Sequence, residues 1–177
     1  MKVLAGVALL LMPLVAGCGG AGDSDEPCPT ATTLGLVDIS EAEELLDRRI
    51  MLPTYVPTGL EIQGGVELDF DRYLECVTSA RISLEAPGPL RRDLPVVVAD
   101  IEYSASELYA GDSDHFVKVA ESDIEIAEYV VADLNSVTAR WSNDGLAIGV
   151  SVLGGTGVDH DTLQEEAIKI IESVISH

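Results

Sequence analysis

Positive charge is scarce in this sequence of 177 residues. Lys and Arg together number 10 against 31 Asp and Glu, so the formal net charge is −21 at pH 7. A surface this acidic repels phosphate groups, which argues against a nucleic-acid partner. It also argues against a domain that lies flat on an anionic membrane leaflet, because such leaflets attract basic segments.

The residues that carry most enzyme chemistry are few as well. The sequence has three His, three Cys and one Trp. It contains no G-x-S-x-G, H-E-x-x-H or C-x-x-C pattern. Serine hydrolase, zinc protease and thiol redox chemistry therefore lack their local signatures. We predict a protein that is not an enzyme and needs no cofactor.

The long apolar run of the sequence, residues 3–15, lies at the N-terminus between Lys2 and Cys18. Its last residues belong to the segment Leu-Val-Ala-Gly-Cys at positions 14–18, which resembles the lipobox of exported bacterial lipoproteins. The resemblance implies cleavage between Gly17 and Cys18, lipidation of Cys18, and a protein anchored by lipid to the outside of the cell membrane. An uncleaved anchor helix is the alternative, although the run is shorter than the roughly 20 residues of a membrane-spanning helix.

Composition predicts three parts of the chain. Residues 1–17 form the signal peptide, residues 18–36 the lipidated cysteine and an acidic tether, and residues 37–177 a single domain. The segment 19–33 is rich in Gly, Pro, Ser, Thr and acidic residues, so it cannot bury apolar surface and behaves as a flexible chain. Fifteen such residues have a typical reach of about 20 Å. Loss of Lys2 with the signal would leave the mature protein slightly more acidic than the precursor.

Two cysteines remain once Cys18 carries lipid. Cys28 and Cys76 are a candidate disulfide, because exported proteins meet an oxidising compartment. Such a bridge would stabilise the fold by about 4 kcal/mol in the chain-entropy description. Two unpaired thiols are the alternative, and the intact mass before and after reduction distinguishes the two states.

Alternation of apolar and polar residues predicts a series of strands after residue 60. The alternating stretches are residues 60–68, 76–85, 96–103, 116–120, 124–131, 136–142 and 146–153. Gly64 and Gly65 indicate a bulge or bend in the first stretch, and Asn-Asp-Gly at 143–145 indicates a hairpin turn. Because short turns join successive strands, the sheet should be mostly antiparallel.

Helices are predicted only at the two ends of the domain. Ser40 with Glu43 has the spacing of a capping box for a short helix over about residues 41–49. Asp161 or Thr162 would cap a longer C-terminal helix, whose apolar stripe has helical spacing. The predicted fold is therefore α+β, with a sheet of about six to seven strands and both helices packed on one face.

Three segments together resemble a known family. They are L-P-x-Y-x-P-x-G-L at residues 52–60, W-x-x-x-G-L-x-I-x-V-S at residues 141–151 and L-x-E-E-A-I-K-I-I-E-S-V at residues 163–174. These segments are similar to an extracytoplasmic domain of unknown function in Gram-positive lipoproteins and anti-sigma-like membrane proteins. The resemblance spans about residues 40–177. It implies a binding or sensing module that faces the cell envelope, and it brings no catalytic residues.

Two acidic clusters contain residue types that bind metals. The first consists of Asp112, Asp114 and His115, and the second of Asp159, His160 and Asp161. Neither matches the D-x-D-x-D-G loop that binds Ca²⁺. In so acidic a chain a solvated loop or a helix cap explains both clusters equally, and titration calorimetry with Ca²⁺ and Zn²⁺ tests them.

Two other features have both a structural and a functional interpretation. Gly-Gly-Thr-Gly at residues 154–157 precedes the last helix like a phosphate-binding loop, but no Lys-Ser/Thr follows it, so the end of a hairpin is favoured. Trp141 alternates with Val137 and Ala139, which favours a place in the core over a role as a ligand platform.

Three functional hypotheses follow. The leading one is a membrane-tethered lipoprotein whose domain binds or senses an unknown envelope partner. The second is a carrier of an apolar or lipid-like ligand, for which the run of Val96, Val97 and Val98 would line a cavity, although a doubly covered central strand also explains that run. An enzyme is third. Tight packing of helices on the sheet would favour the first hypothesis, and an apolar gap of several hundred cubic ångströms the second.

Overall fold

The computed structural model describes residues 36–71, 76–104, 115–119, 121–143 and 145–176. Within these ranges the chain forms nine strands and two helices. In chain order they are β1 Leu36–Val37, α1 Ile39–Leu46, β2 Glu61–Ile62, β3 Val66–Asp71, β4 Cys76–Glu85, β5 Val96–Ser104, β6 His115–Val119, β7 Ser122–Val131, β8 Leu134–Asn143, β9 Leu146–Gly154 and α2 His160–Ile175. The α+β class and the mostly antiparallel sheet are confirmed.

The strand number of six to seven was too low. The stretch 60–68 is divided into β2 and β3, because Gly65 takes a φ of 102° that few other residues adopt. β2 pairs with the end of β4, whereas β3 pairs with the rest of that strand. The two-residue strand β1 pairs with β3 and has too few residues to show an alternation.

Both helices begin earlier than predicted. Asp38, not Ser40, is the N-cap of α1, and its Oδ1 accepts a hydrogen bond from the Glu41 amide at 2.9 Å. Glu43 does not close a capping box, since its Oε1 accepts instead from the amide of Ile50 at 2.8 Å. The helix ends at Leu46 because Asp47 has the left-handed conformation.

The sheet consists of two antiparallel meanders that meet at one seam. The strand order is β1-β3-β4-β5-β9-β8-β7-β6, with β2 beside β4. β3, β4 and β5 follow one another in the first meander, and β6 to β9 do so in the second. The seam is the antiparallel pair β5 and β9, where Ile101 lies opposite Val150. α1 packs on β3 and β4, and α2 packs on β8 and β9.

One face of the sheet and both helices form a single core. A row of apolar side chains crosses five strands in register, comprising Ile82, Ile101, Val150, Ala139 and Ile126. All of them are buried. α2 covers this face with the predicted stripe Leu163, Ala167, Ile170, Ile171 and Val174, each with no exposed surface. The prediction that the stripe faces the sheet is confirmed.

The opposite face of the sheet carries polar side chains in register. Its central row reads Glu67, Arg81, Glu102, Gly149, Arg140 and Glu125 across β3 to β7. Arg81 lies 2.9 Å from Asp69 and 3.6 Å from Glu67. These pairs are partly exposed, so each adds little to stability. Their regular pairing across strands instead helps to fix the register.

Tyr103 of β5 forms a buried contact that depends on pH. Its ring is in the core and its hydroxyl donates a hydrogen bond to the carbonyl oxygen of Met51. Burial raises the pKa of this phenol well above its ordinary value. In the unfolded chain the phenol loses its proton near pH 10. Because the folded protein retains the proton, the free energy of unfolding should fall as pH rises above about 10.

We expect Tyr103→Phe to lower the free energy of unfolding by about 1 kcal/mol at neutral pH, because the Met51 carbonyl loses its donor. The variant should also lose part of the alkaline destabilisation. Urea unfolding below and above about pH 10 measures both effects. Tyr129→Phe, at an exposed position, is the control. An alkaline slope in Tyr103→Phe equal to that of the parent protein would contradict this account.

Candidate functional site

Most residues of the predicted anchor and disulfide lie outside the described ranges. Gly17, Cys18 and Cys28 are all in this group. Cys76 opens β4, where its backbone pairs with Asp71. Lipidation of Cys18 and a bridge between Cys28 and Cys76 therefore stay predictions.

The structure describes one member of the first acidic cluster. His115 opens β6 and is exposed, with its Nε2 2.8 Å from Oε1 of Gln164 on α2. Asp112 and Asp114 lie outside the described residues. Among the described residues, no three His, Cys, Asp or Glu side chains are grouped so that they could hold a metal ion.

The second acidic cluster fastens α2 to the sheet. Asp159, rather than Asp161 or Thr162, is the N-cap, and its Oδ1 accepts from the Thr162 amide at 2.8 Å. This hydrogen bond lowers the pKa of Asp159. The His160 ring donates from Nε2 to the carbonyl oxygen of Tyr129 at 3.1 Å, and its Nδ1 lies 3.3 Å from Glu128. The described contacts of Asp159 and His160 are thus with protein groups.

The glycine-rich segment closes β9 and does not cradle a ligand. Gly154 is the last residue of the strand, and the Gly155 amide donates to the Pro95 carbonyl oxygen at 3.2 Å. The Thr156 amide donates to the Arg92 carbonyl oxygen at 2.9 Å. These two amides are already used, so they are not available to bind phosphate. The prediction of a hairpin end is confirmed.

Trp141 and the three valines occupy structural positions. Trp141 of β8 is half-buried and packs against the core. Val96 and Val97 are buried in the central strand β5, and Val98 is half-buried. The register with β9 shifts between Val96 and Val98, so an irregularity lets consecutive valines be covered. This agrees with the interpretation as a doubly covered strand.

Two of the segments that carry the family resemblance meet in a polar cluster. The Tyr55 hydroxyl donates to Oε2 of Glu166 at 2.6 Å, and Nζ of Lys169 donates to Oε1 of the same carboxylate at 2.8 Å. Nζ also lies 5.8 Å from the centre of the Tyr55 ring, within reach of a cation–π interaction. The segment around residue 55 is thereby held against α2.

This cluster is suited to structural support. Partial burial, followed by the hydrogen bond to Glu166, raises the pKa of Tyr55. The hydrogen bond with Glu166 raises the pKa of Lys169. Phenol and ammonium therefore both retain their protons, and the carboxylate accepts from both. An acid–base catalyst would instead need a proton that moves near neutral pH. Sequence reasoning missed the cluster, although Glu166 and Lys169 have the i, i+3 spacing of a helical ion pair.

The hairpin β7–β8 ends in an exposed apolar tip, which we define as Tyr129, Val130, Val131 and Ala132. Their exposure includes 41% for Tyr129, 66% for Val130 and 52% for Val131. The prediction of a strand over 124–131 was correct, but it did not reveal that the strand leaves the core before its end.

The turn at this tip is strained. Ala132 and Asp133 both have positive φ, 50° and 67°, as a type I′ turn requires. Asn-Gly is the sequence that such turns prefer, and alanine in the left-handed region costs about 1 kcal/mol. Alanine thus keeps the tip apolar at a cost in stability, which is a pattern found at functional sites.

A second exposed apolar residue, Leu90, lies on the loop between β4 and β5. It is 62% exposed and lines a surface pocket of about 260 Å³ together with Val97, Val98 and Ala86. The pocket is outside the interface between the helices and the sheet. Its lining is mainly aliphatic, so its chemistry is contact with an apolar group rather than catalysis.

Neither helix in the described part of the chain is both long and apolar enough to cross a membrane. Comparison with known proteins identifies no relative. No family model, no curated protein and no solved structure matches this chain.

Proposed function

We propose that this protein is a non-enzymatic lipoprotein, tethered to the outside of the cell membrane through Cys18, whose domain binds or senses an envelope partner. The observation that carries the proposal is the segment 14–18, which follows an apolar run and Lys2. The acidic tether and the absence of catalytic sequence patterns agree with it. An anchor and a flexible linker are useful to a domain that must meet a partner near the membrane.

Packing of the domain supports a binding module over a carrier of lipid-like ligands. The side chains of α2 that face the sheet have no exposed surface. The sheet residues beneath them, including Val137 and Val152, are equally buried. Where the structure describes this interface, protein side chains occupy it. A carrier would need a ligand-sized space, typically of several hundred cubic ångströms.

Replacement of Cys18 tests the anchor. In a bacterial host that processes lipoproteins, the parent protein should label with radioactive palmitate and fractionate with membranes. Cys18→Ala should lose the label completely, because the acyl chains are attached to this sulfur, and should keep the 17-residue signal or leave the membrane. Cys28→Ala is the matched control and should label normally. Equal labelling and fractionation of Cys18→Ala and the parent protein would refute the proposal.

A further inference from the structure

The apolar tip is a rigid projection. The carbonyl oxygen of Tyr129 accepts from His160 at 3.1 Å, and Asn135 Nδ2 donates to the carbonyl oxygen of Val158 at 2.7 Å. Both strands of the hairpin are thereby fixed to the segment that enters α2. Exposed apolar side chains on a well-held projection are typical of a surface that makes a contact.

Leu90 lies at the same end of the sheet. β4 and β7 both end there, since Glu85 pairs with Val98 near the start of β5 and the register continues through Leu153 and Ser136 to Tyr129. The tip and the Leu90 loop are separated by three strand spacings, about 14 Å. Leu90 is followed by two exposed arginines, Arg91 and Arg92. This end of the sheet, which we call the apolar end, therefore presents two apolar contacts and a local pair of cations.

The length of chain before Leu36 determines what this end can reach. Leu36 is in register with Glu125, through the central row of the polar face. Val131 lies six residues further along β7, about 20 Å toward the apolar end. Residues 19–35 separate Leu36 from Cys18. Seventeen flexible residues have a typical reach of about 21–25 Å. The tether thus matches the height of the apolar end.

We propose that the apolar end touches the bilayer to which Cys18 is anchored, so that the domain stands end-on at the membrane. This inference rests on the proposed lipid anchor. Val130, Val131 and Leu90 would enter the boundary between headgroups and acyl chains, where Tyr129 is also favoured. The contact is too small to recruit the free protein, but the anchor makes it intramolecular. An end-on position keeps most acidic side chains away from the headgroups.

Quenching by brominated lipid tests this contact. The full-length lipidated protein is reconstituted in phosphatidylcholine liposomes whose acyl chains carry bromine. A single tryptophan is introduced in a Trp141→Phe background, either by Val130→Trp at the tip or by Phe116→Trp as the matched control. Phe116 is 67% exposed and Val130 66%. Phe116 lies opposite Glu125, about 17 Å along the sheet from Val130.

We expect the fluorescence of the Val130→Trp variant to fall about twofold, because interfacial residues enter the bilayer by about 5–10 Å. The Phe116→Trp control should be nearly unchanged. Adding Val131→Asp to Val130→Trp should reduce the quenching while the protein still floats with the liposomes. Urea unfolding of each variant verifies that the domain is folded.

Flotation separates the two proposals. Protein that floats but shows equal or no quenching at positions 130 and 116 overturns the bilayer contact, leaves the anchor intact and assigns the tip to a protein partner. Protein that does not float overturns the lipid anchor and, with it, the end-on position.

Discussion

Gly155→Ala should lower the free energy of unfolding by about 3 kcal/mol, because the added carbon has no space. A Cβ at this position would lie 2.0 Å from the carbonyl oxygen of Leu94 and 2.6 Å from that of Arg92. These are backbone atoms, so no side-chain rotation relieves the overlap. The loop before β5 and the end of β9 would separate, and the hydrogen bonds from residues 155 and 156 would lengthen.

Urea unfolding of Gly155→Ala and of a matched glycine variant measures this effect. Gly64→Ala is suitable, because its Cβ would meet no atom within 4 Å. That control should change the free energy of unfolding by less than about 0.5 kcal/mol. If both variants have the same stability, Gly155 is not under the steric constraint that we describe.

Leu163→Ala should cost about 3 kcal/mol by leaving a cavity under α2. Leu163 has no exposed surface, and it packs against Gly154 so closely that a Cβ there would lie 2.9 Å from its Cδ1. The glycine cannot fill the space that a shorter side chain leaves. Alanine itself favours a helix, so the loss would report packing rather than helix propensity.

The comparison for Leu163→Ala is Glu165→Ala on the exposed side of α2. Thermal and urea unfolding should give a change within about 0.5 kcal/mol for this control. A loss below about 1 kcal/mol for Leu163→Ala would mean that the sheet and α2 move together to close the cavity.

Sequence patterns predicted the long elements because burial on one side leaves a periodic record. β4 was predicted residue for residue at Cys76–Glu85, and the stripe of α2 was found at Leu163 to Val174. Two-residue strands have no period to detect, which is why β1 and β2 changed the count. Caps were misplaced because Asp38 and Asp159 lack the acidic partner three residues later that marks a capping box.

Features that depend on distant parts of the chain were not predictable from local patterns. Tyr55 and Glu166 are 111 residues apart, and neither position announces its partner. The apolar tip was missed for another reason. Val130 and Val131 continue the alternation of β7, and only the path of α2 and β6 decides that they remain uncovered.

The single seam between β5 and β9 has a consequence for how the protein folds. Contacts inside each meander join strands that are neighbours in sequence, so each half can form from local pairings at low entropic cost. The seam instead joins residues such as Ile101 and Val150, and it closes only when the second meander exists. Each half brings its own helix, α1 or α2. We therefore expect two cooperative units in hydrogen exchange, and the amides of β5 and β9 should report the rarest event, their complete separation.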